Sequence, residues 1–438
     1  MEQFAPARCC VGAVRPLCLV RPLPDRQSGS DVAFSLARVK ILKESARVTF
    51  QYTSHSNPSS WPSWPIYRAE ERAAVQRVID SNQLFAAQEV RTFENVFRTF
   101  VGTEHAIGVG NATQGLHLAL AALDIGLGDE VIVTPYSWIS SASCVLMQNA
   151  TPVFCDIEPE TFGLDPDVVE QRITPRTKAI IAVHPFEYPI RIDELVEVAV
   201  RHGLALIEDG SHALGAMLGS RGVGTFGSLS VFSLHQRKSL SIGDGGMVCT
   251  NDPQLAEKVS RLRSFGDDDL SYNYRMTEFA AAIGNVRIER LDEENALREQ
   301  NSEYLASQFG SSSPIEVVWP RTGTQGVFYA ALLLVTRPIV GLEKSLELMR
   351  DQGVPIRFTW SGLNKHPHFN PRRRPARGFP EFNGIGIQKA GRHSYKSLSL
   401  PVADSLLPYR ILEFYVHPPA NREHIDFAIS LMEQYQIL

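Results

Sequence analysis

The sequence predicts an α/β protein with a mainly parallel sheet between helices and a smaller C-terminal α/β domain. Three observations predict it. Short apolar strands alternate with helices between residues 106 and 208, the pattern of βαβ units. A glycine-bearing turn, Gly110 to Gly115, leads from the first of these strands into a helix rich in Leu and Ala. Beyond Asp252 the character changes to long helices, and a chain of 438 residues suits one large and one small domain.

Taken in order, residues 69–81 and 89–100 have helical patterns. A strand over 106–109 follows, broken by Gly110 and Asn111, then a helix over 113–123. Strands over 130–134, 152–156, 179–183 and 205–208 alternate with helices over 140–149, 165–172 and 192–202. Two further strands, 229–233 and 246–250, bracket Lys238. Helices over 255–264 and 277–309 come next, the second long enough to leave the large domain and begin the small one. A strand near 327–335 and helices over 342–352 and 422–435 complete the pattern. Residues 365–397, rich in Pro, Gly and Arg, predict a long loop. The domains expected are an extension over 1–60, a large domain over 61–300 and a small one over 301–438.

Hydrophobic content of 44% and charged content of 21% allow a sizeable core. No apolar run reaches the roughly 20 residues that span a bilayer. A net charge of −5 argues against a nucleic-acid partner. The six cysteines show no C-x-x-C spacing and predict reduced thiols in a cytoplasmic protein with no metal site. The first sixty residues carry eight Lys/Arg against four Asp/Glu and no continuous apolar run. They predict a disordered extension, or translation from a start codon placed too far upstream, rather than a secretory signal. An organelle transit peptide is the weaker alternative.

Four groups of residues could carry chemistry, and each has a blander reading. The turn Gly110-Asn-Ala-Thr-Gln-Gly115 opens a helix whose N–H groups and dipole favour an anion, with Thr113 and Gln114 as added donors. Alternatively, its glycines serve only steric needs. Asp209 ends an apolar strand at the carboxyl edge of the sheet, where such folds bind ligands. It could hold a pyridinium nitrogen protonated, or simply cap a helix. Lys238, between a buried strand and the turn Gly243-Asp-Gly-Gly246, could be desolvated into a nucleophilic amine. A surface lysine is its ordinary alternative, and nearby His235 could be a base or structural. Finally, Tyr272-Asn-Tyr-Arg275 follows the acidic run Asp267–Asp269 and could meet a partner subunit or an anion, or merely lead into a helix.

The order and spacing of these segments resemble the DegT-type sugar aminotransferases, a branch of the fold-type-I pyridoxal-phosphate (PLP) enzymes. The resemblance runs from about Trp61 to at least Leu305 and more weakly beyond. It includes Trp61-Pro-Ser-Trp-Pro65, Phe93-Glu94, Gly126-Leu-Gly-Asp-Glu-Val131, Thr174-Pro-Arg-Thr-Lys178, Val183-His184 and Asn273-Tyr-Arg-Met276. It implies a seven-stranded-type sheet and a PLP cofactor. Lys238 then resembles the lysine that holds the cofactor as a Schiff base and shuttles the substrate proton. Asp209 is similar to the pyridine-nitrogen partner, His212 to the residue facing the ring hydroxyl, and Trp138 to the aromatic stacked on the ring. Thr113, Gln114 and Ser233 resemble phosphate donors. Asn273 resembles an asparagine that reaches the neighbouring subunit's cofactor, which implies a homodimer.

Within the family, Trp61–Pro65, Tyr136-Ser-Trp-Ile139 and Leu164-Asp-Pro166 look most like the scyllo-inosose and 2-deoxy-scyllo-inosose aminotransferases. The implied reaction is ping-pong transamination of a keto sugar or cyclitol, with glutamine or glutamate as donor. The sequence departs from the family at Glu187, where glycine is expected, and at Gln114-Gly115, where two alanines are usual. A related sugar dehydratase would carry His at position 238, and a non-catalytic relative would lack Lys238 or Asp209. A cofactor-free α/β protein is a third rival. The run Arg372–Arg374 with Arg377 reads as a solvated loop or as a phosphate clamp for a nucleotide-linked sugar.

Overall fold

Seven strands form the central sheet of the structure, a computed structural model. It describes residues 61–186, 188–265, 270–369 and 395–438. The extension 1–60, Glu187, the acidic run Asp267–Asp269 and the arginines 372–377 lie outside the described residues, as does much of the loop expected over 365–397.

The strands are β1 (His105–Val109), β2 (Glu130–Val133), β3 (Thr151–Phe154), β4 (Thr177–Val183), β5 (Ala205–Asp209), β6 (Leu229–Ser233) and β7 (Gly246–Thr250). Their spatial order is β1-β7-β6-β5-β4-β2-β3. Pairs β2–β3, β2–β4, β4–β5 and β5–β6 are parallel, and only β7 runs against its two neighbours. The fold is therefore α/β with a mainly parallel sheet. Helices cover both faces, which is why β2 and β7 are buried along their whole length and read as continuous apolar runs.

The helices begin and end where local chemistry dictates. Asn111 caps the helix Ala112–Ala122 (α1 of the sheet-covering set), accepting from the N–H of Gln114. Asp165 and Asp252 cap Pro166–Arg172 and Pro253–Arg263, each with proline at the first helical position. The helix over 277–309 is not continuous. Glu278–Arg287 passes through a 3₁₀ turn, Ile288–Arg290, into Leu291–Ser307. In a 3₁₀ turn residues three apart share a face. Arg287 and Arg290 accordingly both pair with Glu71, which is 1% exposed on the helix Ala69–Ser81.

The C-terminal part holds a four-stranded antiparallel sheet of β8 (Ile315–Val317), β9 (Ala331–Val335), β10 (Ile356–Phe358) and β11 (Ile411–Phe414), in the order β8-β9-β11-β10. Only β9 was foreseen, and it starts later than expected because Phe328 adopts a left-handed φ of 46° just before it. The helices Leu291–Ser307, Leu342–Asp351 and Arg422–Gln434 bury their apolar sides here.

Candidate active site

Lys238 lies on the excursion between β6 and β7, which is closed by backbone bonds. Leu234 N donates to Gly245 O (2.9 Å), Gln236 N to Gly243 O (2.7 Å) and Ile242 N to Leu234 O (3.0 Å). Gly243, at φ 94°, makes the reversal that a side chain would strain. The lysine residue keeps some solvent exposure, but its amine is packed among protein groups and stands 4.8 Å from the Tyr329 ring centroid. Burial pushes this amine down to about 7, against the pull of the Asp209 and Glu413 carboxylates and with Arg357 and Arg237 adding to the fall. A fraction of it is thus a free nucleophile at neutral pH.

Asp209 ends β5 and is 4% exposed. Its carboxylate accepts from Ser141 Oγ (2.8 Å) and from Ser211 N (3.2 Å). One residue back, Glu208 is fully buried and takes the N–H groups of Gly224, Phe226 and Gly227. Adjacent acids therefore divide their work by the alternation of a strand: Glu208 fixes a loop, while Asp209 faces Lys238. His212 lies one turn on. Its Nδ1 accepts from Phe186 N (3.2 Å), so the proton sits on Nε2, and its ring stacks on Tyr329 at 4.7 Å. Burial holds His212 well below the usual imidazole range, helped by the charges of Lys238 and Arg357.

The glycine turn arrives at the same edge. Gln114 Oε1 is buried without a hydrogen-bond partner at the start of α1. Thr113 Oγ1 lies 2.6 Å from Ser140 Oγ, and Ser140 neighbours the Ser141 that holds Asp209. Gly246 passes directly beneath: a Cβ there would lie 2.7 Å from the Asn111 carbonyl carbon. The two glycine motifs are thus one packing feature. Ser233 ends β6, and its Oγ accepts from His235 N (3.4 Å). His235 itself is exposed, with Nδ1 accepting from Arg237 N.

Two expected residues stand apart. Trp138 is 58% exposed, and its ring lies edge-on to Trp360 at 6.3 Å. Asn273 is exposed, with a left-handed φ of 58°. Conversely, sequence reasoning missed several residues that surround Lys238. Tyr329, Trp360 and the group Arg357, Glu413, Tyr415 and Thr359 come from the C-terminal part. Trp64 donates its indole N–H to the Lys238 carbonyl (3.2 Å) and stacks on His417 at 4.7 Å. Only the Trp61–Pro65 motif signalled any of these.

Residues 65–408 match the model of the DegT/DnrJ/EryC1/StrS aminotransferase family. The chain belongs to this family. A relative named L-glutamine:2-deoxy-scyllo-inosose aminotransferase, from Streptomyces kanamyceticus, is 34% identical over 360 residues, covering 76% of this chain and 84% of its own. GDP-perosamine synthase of Caulobacter vibrioides is 44% identical over 245 residues, 54% of this chain and 66% of that protein. Among solved structures, DesV of S. venezuelae, in complex with a ketimine intermediate, superposes with a TM-score of 0.73 at 31% identity, over 84% of this chain and 94% of that one. As a member of the family, the protein is a PLP-dependent aminotransferase acting in sugar chemistry. Among the described residues no helix is long and apolar enough to cross a membrane, and no group of three or more potential ligands could hold a metal.

Proposed function

We propose that the protein transfers an amino group from glutamine or glutamate to a keto cyclitol or keto sugar, by a ping-pong reaction in which Lys238 is the catalytic residue. The observation that carries this reading is convergence. A lysine with its amine packed against Tyr329, a buried aspartate and an N-terminal helix turn meet at the carboxyl edge of one sheet. The residues fit PLP. Asp209, held by Ser141 and Ser211, suits a protonated pyridine nitrogen, and His212, with its proton on Nε2, would donate to the ring hydroxyl. The Thr113 and Ser233 hydroxyls and the Gln114 amide N–H₂ would join the free backbone N–H groups at the α1 N-terminus in holding a phosphate. Trp138, exposed at the start of Ser140–Met147, is free to cover the ring.

When bound, PLP supplies a carbonyl for amine exchange and an electron sink for the reacting carbon. The chain supplies the rest. Lys238 accepts the proton leaving the donor carbon and later returns one to the acceptor carbon, as its lowered basicity permits.

A homodimer is part of this reading. Asn273 has no part in the protomer's own site, and exposed apolar side chains surround its segment: Phe85 (57%), Phe265 (58%) and Leu270 (86%). Such a patch supports burial against a second copy, where Asn273 would reach the partner's phosphate. We place the enzyme in the cytoplasm, in keeping with three buried, unlinked thiols at Cys144, Cys155 and Cys249. Cyclitol amination would suit antibiotic-type metabolism, and the S. kanamyceticus relative is named for a cyclitol-type substrate, 2-deoxy-scyllo-inosose. A nucleotide-linked keto sugar is the second reading, favoured by the higher identity to the perosamine synthase over a shorter span of 245 residues.

Absorbance of the PLP-loaded protein tests both. L-glutamine should convert the visible band to that of the pyridoxamine form, and 2-deoxy-scyllo-inosose should restore it. Restoration only by a nucleotide-linked keto sugar would select the second reading, and no response to any amine would refute both.

A further inference from the structure

We propose that Arg357 and His417 form the subsite that receives the α-carboxylate of the amino donor, beside the Lys238 amine. The proposal deepens the aminotransferase reading and rests on it.

Arg357 and Glu413 face each other as cross-strand partners on β10 and β11. Arg357 Nε and Nη2 both donate to Glu413 Oε2 (2.8 and 2.7 Å), and Nη2 also donates to the Tyr415 hydroxyl (2.8 Å). Tyr415 in turn donates to Oε2 (2.6 Å), and Thr359 to Oε1 (2.9 Å). The carboxylate, at 0% exposure, accepts from all of these groups and fixes the guanidinium plane. Nη1 makes no hydrogen bond among the described residues, and the Arg357 side chain is 35% exposed. Its two N–H groups are therefore held ready for a ligand.

His417 adds a second donor. Arginine can only donate, so the bond from Arg298 Nε to His417 Nδ1 (3.0 Å) leaves the ring proton on Nε2. That nitrogen is buried with no partner. A buried donor without an acceptor is costly and calls for an explanation.

The two donors share neighbours with Lys238. Tyr415 lies 5.5 Å from the Arg357 guanidinium carbon and 5.8 Å from the His417 ring. Tyr329 lies 5.4 Å from Tyr415, 5.7 Å from His417 and 4.8 Å from the Lys238 amine. A ligand placed against Arg357 Nη1 and His417 Nε2 meets two donors, one of them cationic. That suits an anionic, acceptor-only group rather than a hydroxyl, which would need an acceptor as well. An α-amino acid carries such a group one carbon from the nitrogen it gives up.

The test compares two amines on the PLP-loaded protein: L-glutamine and L-glutaminamide, which lacks only the α-carboxylate charge. Wild type should turn over its absorbance band about tenfold to a hundredfold faster with L-glutamine at low concentration. In Arg357→Lys, and in Arg357→Gln combined with Glu413→Gln to avoid a stranded carboxylate, that preference should collapse toward unity. Loss of rate with both amines alike would mark a merely structural role and overturn the proposal. A calorimetric titration with glutarate gives an independent readout: weaker binding by tenfold or more in Arg357→Lys is expected, and equal binding overturns the subsite. Glutarate bound by wild type without any amine response would fault the aminotransferase reading while leaving the subsite in place.

Discussion

The Ser141 hydroxyl donates to the Asp209 carboxylate at 2.8 Å, across 68 residues of sequence. Ser137 Oγ in turn lies 2.7 Å from Ser141 Oγ, so a short hydroxyl chain sets the orientation of the acid. Asp209→Asn removes the charge that would keep a pyridine nitrogen protonated and should lower kcat by about a hundredfold or more. Ser141→Ala removes one hydrogen bond and leaves the acid in place, so about a fivefold loss is expected. Steady-state kinetics of the two variants checks the ranking, and a Ser141→Ala enzyme weaker than Asp209→Asn would contradict it.

Lys238→Ala should abolish turnover, with loss exceeding about a thousandfold. The fold should persist, because the excursion that carries the lysine is closed by its own backbone bonds. Circular dichroism and the absence of a borohydride-fixable cofactor check both halves.

The Lys238 amine falls from 10.5 to about 7 on folding without its cofactor. Between those values the unfolded chain binds the extra proton, so this group makes cofactor-free stability rise with pH across that window. Below about 7 the folded protein carries the buried charge in full. Attack on a carbonyl needs the free amine, so PLP uptake should also speed up through pH 7 and then level off. Denaturant midpoints of wild type minus those of Lys238→Ala isolate the contribution. A difference that falls with rising pH would refute the assignment.

Gly246→Ala places a Cβ within 2.8 Å of the Ala112 amide nitrogen, against backbone that cannot rotate away. We expect a cost of about 1–3 kcal/mol, read as a lower melting temperature, together with weaker PLP retention as the helix start is displaced. Unchanged stability would show that the two turns are not coupled.

The large sheet was legible because its short apolar strands alternate with helices in regular βαβ order. Lys238, Asp209 and the glycine turn sit at junctions between elements, where sequence punctuation is strongest. The Arg357–Glu413 pair was not legible, because its strands have three and four residues and their register depends on residues 55 or so apart. The break in the long helix escaped for a related reason: the partner of Arg287 and Arg290, Glu71, lies more than 200 residues earlier. Ser141 and Trp64 carry no local signature for what they hold.

The hydrogen bond between Tyr136 and Thr359 spans 223 residues, and the wall behind it closes only with Glu413. The sheet, the excursion that carries Lys238, Asp209 and the α1 turn have all been synthesised by residue 250. A nascent chain emerging from the ribosome can therefore assemble the Lys238 and Asp209 half of the proposed site while Arg357, Glu413 and Tyr415 are still being made. Premature termination before β11 would leave a lysine with a sheet beneath it and open water where Tyr415 and Arg357 should stand locked, a species able to capture aldehydes without choosing among them.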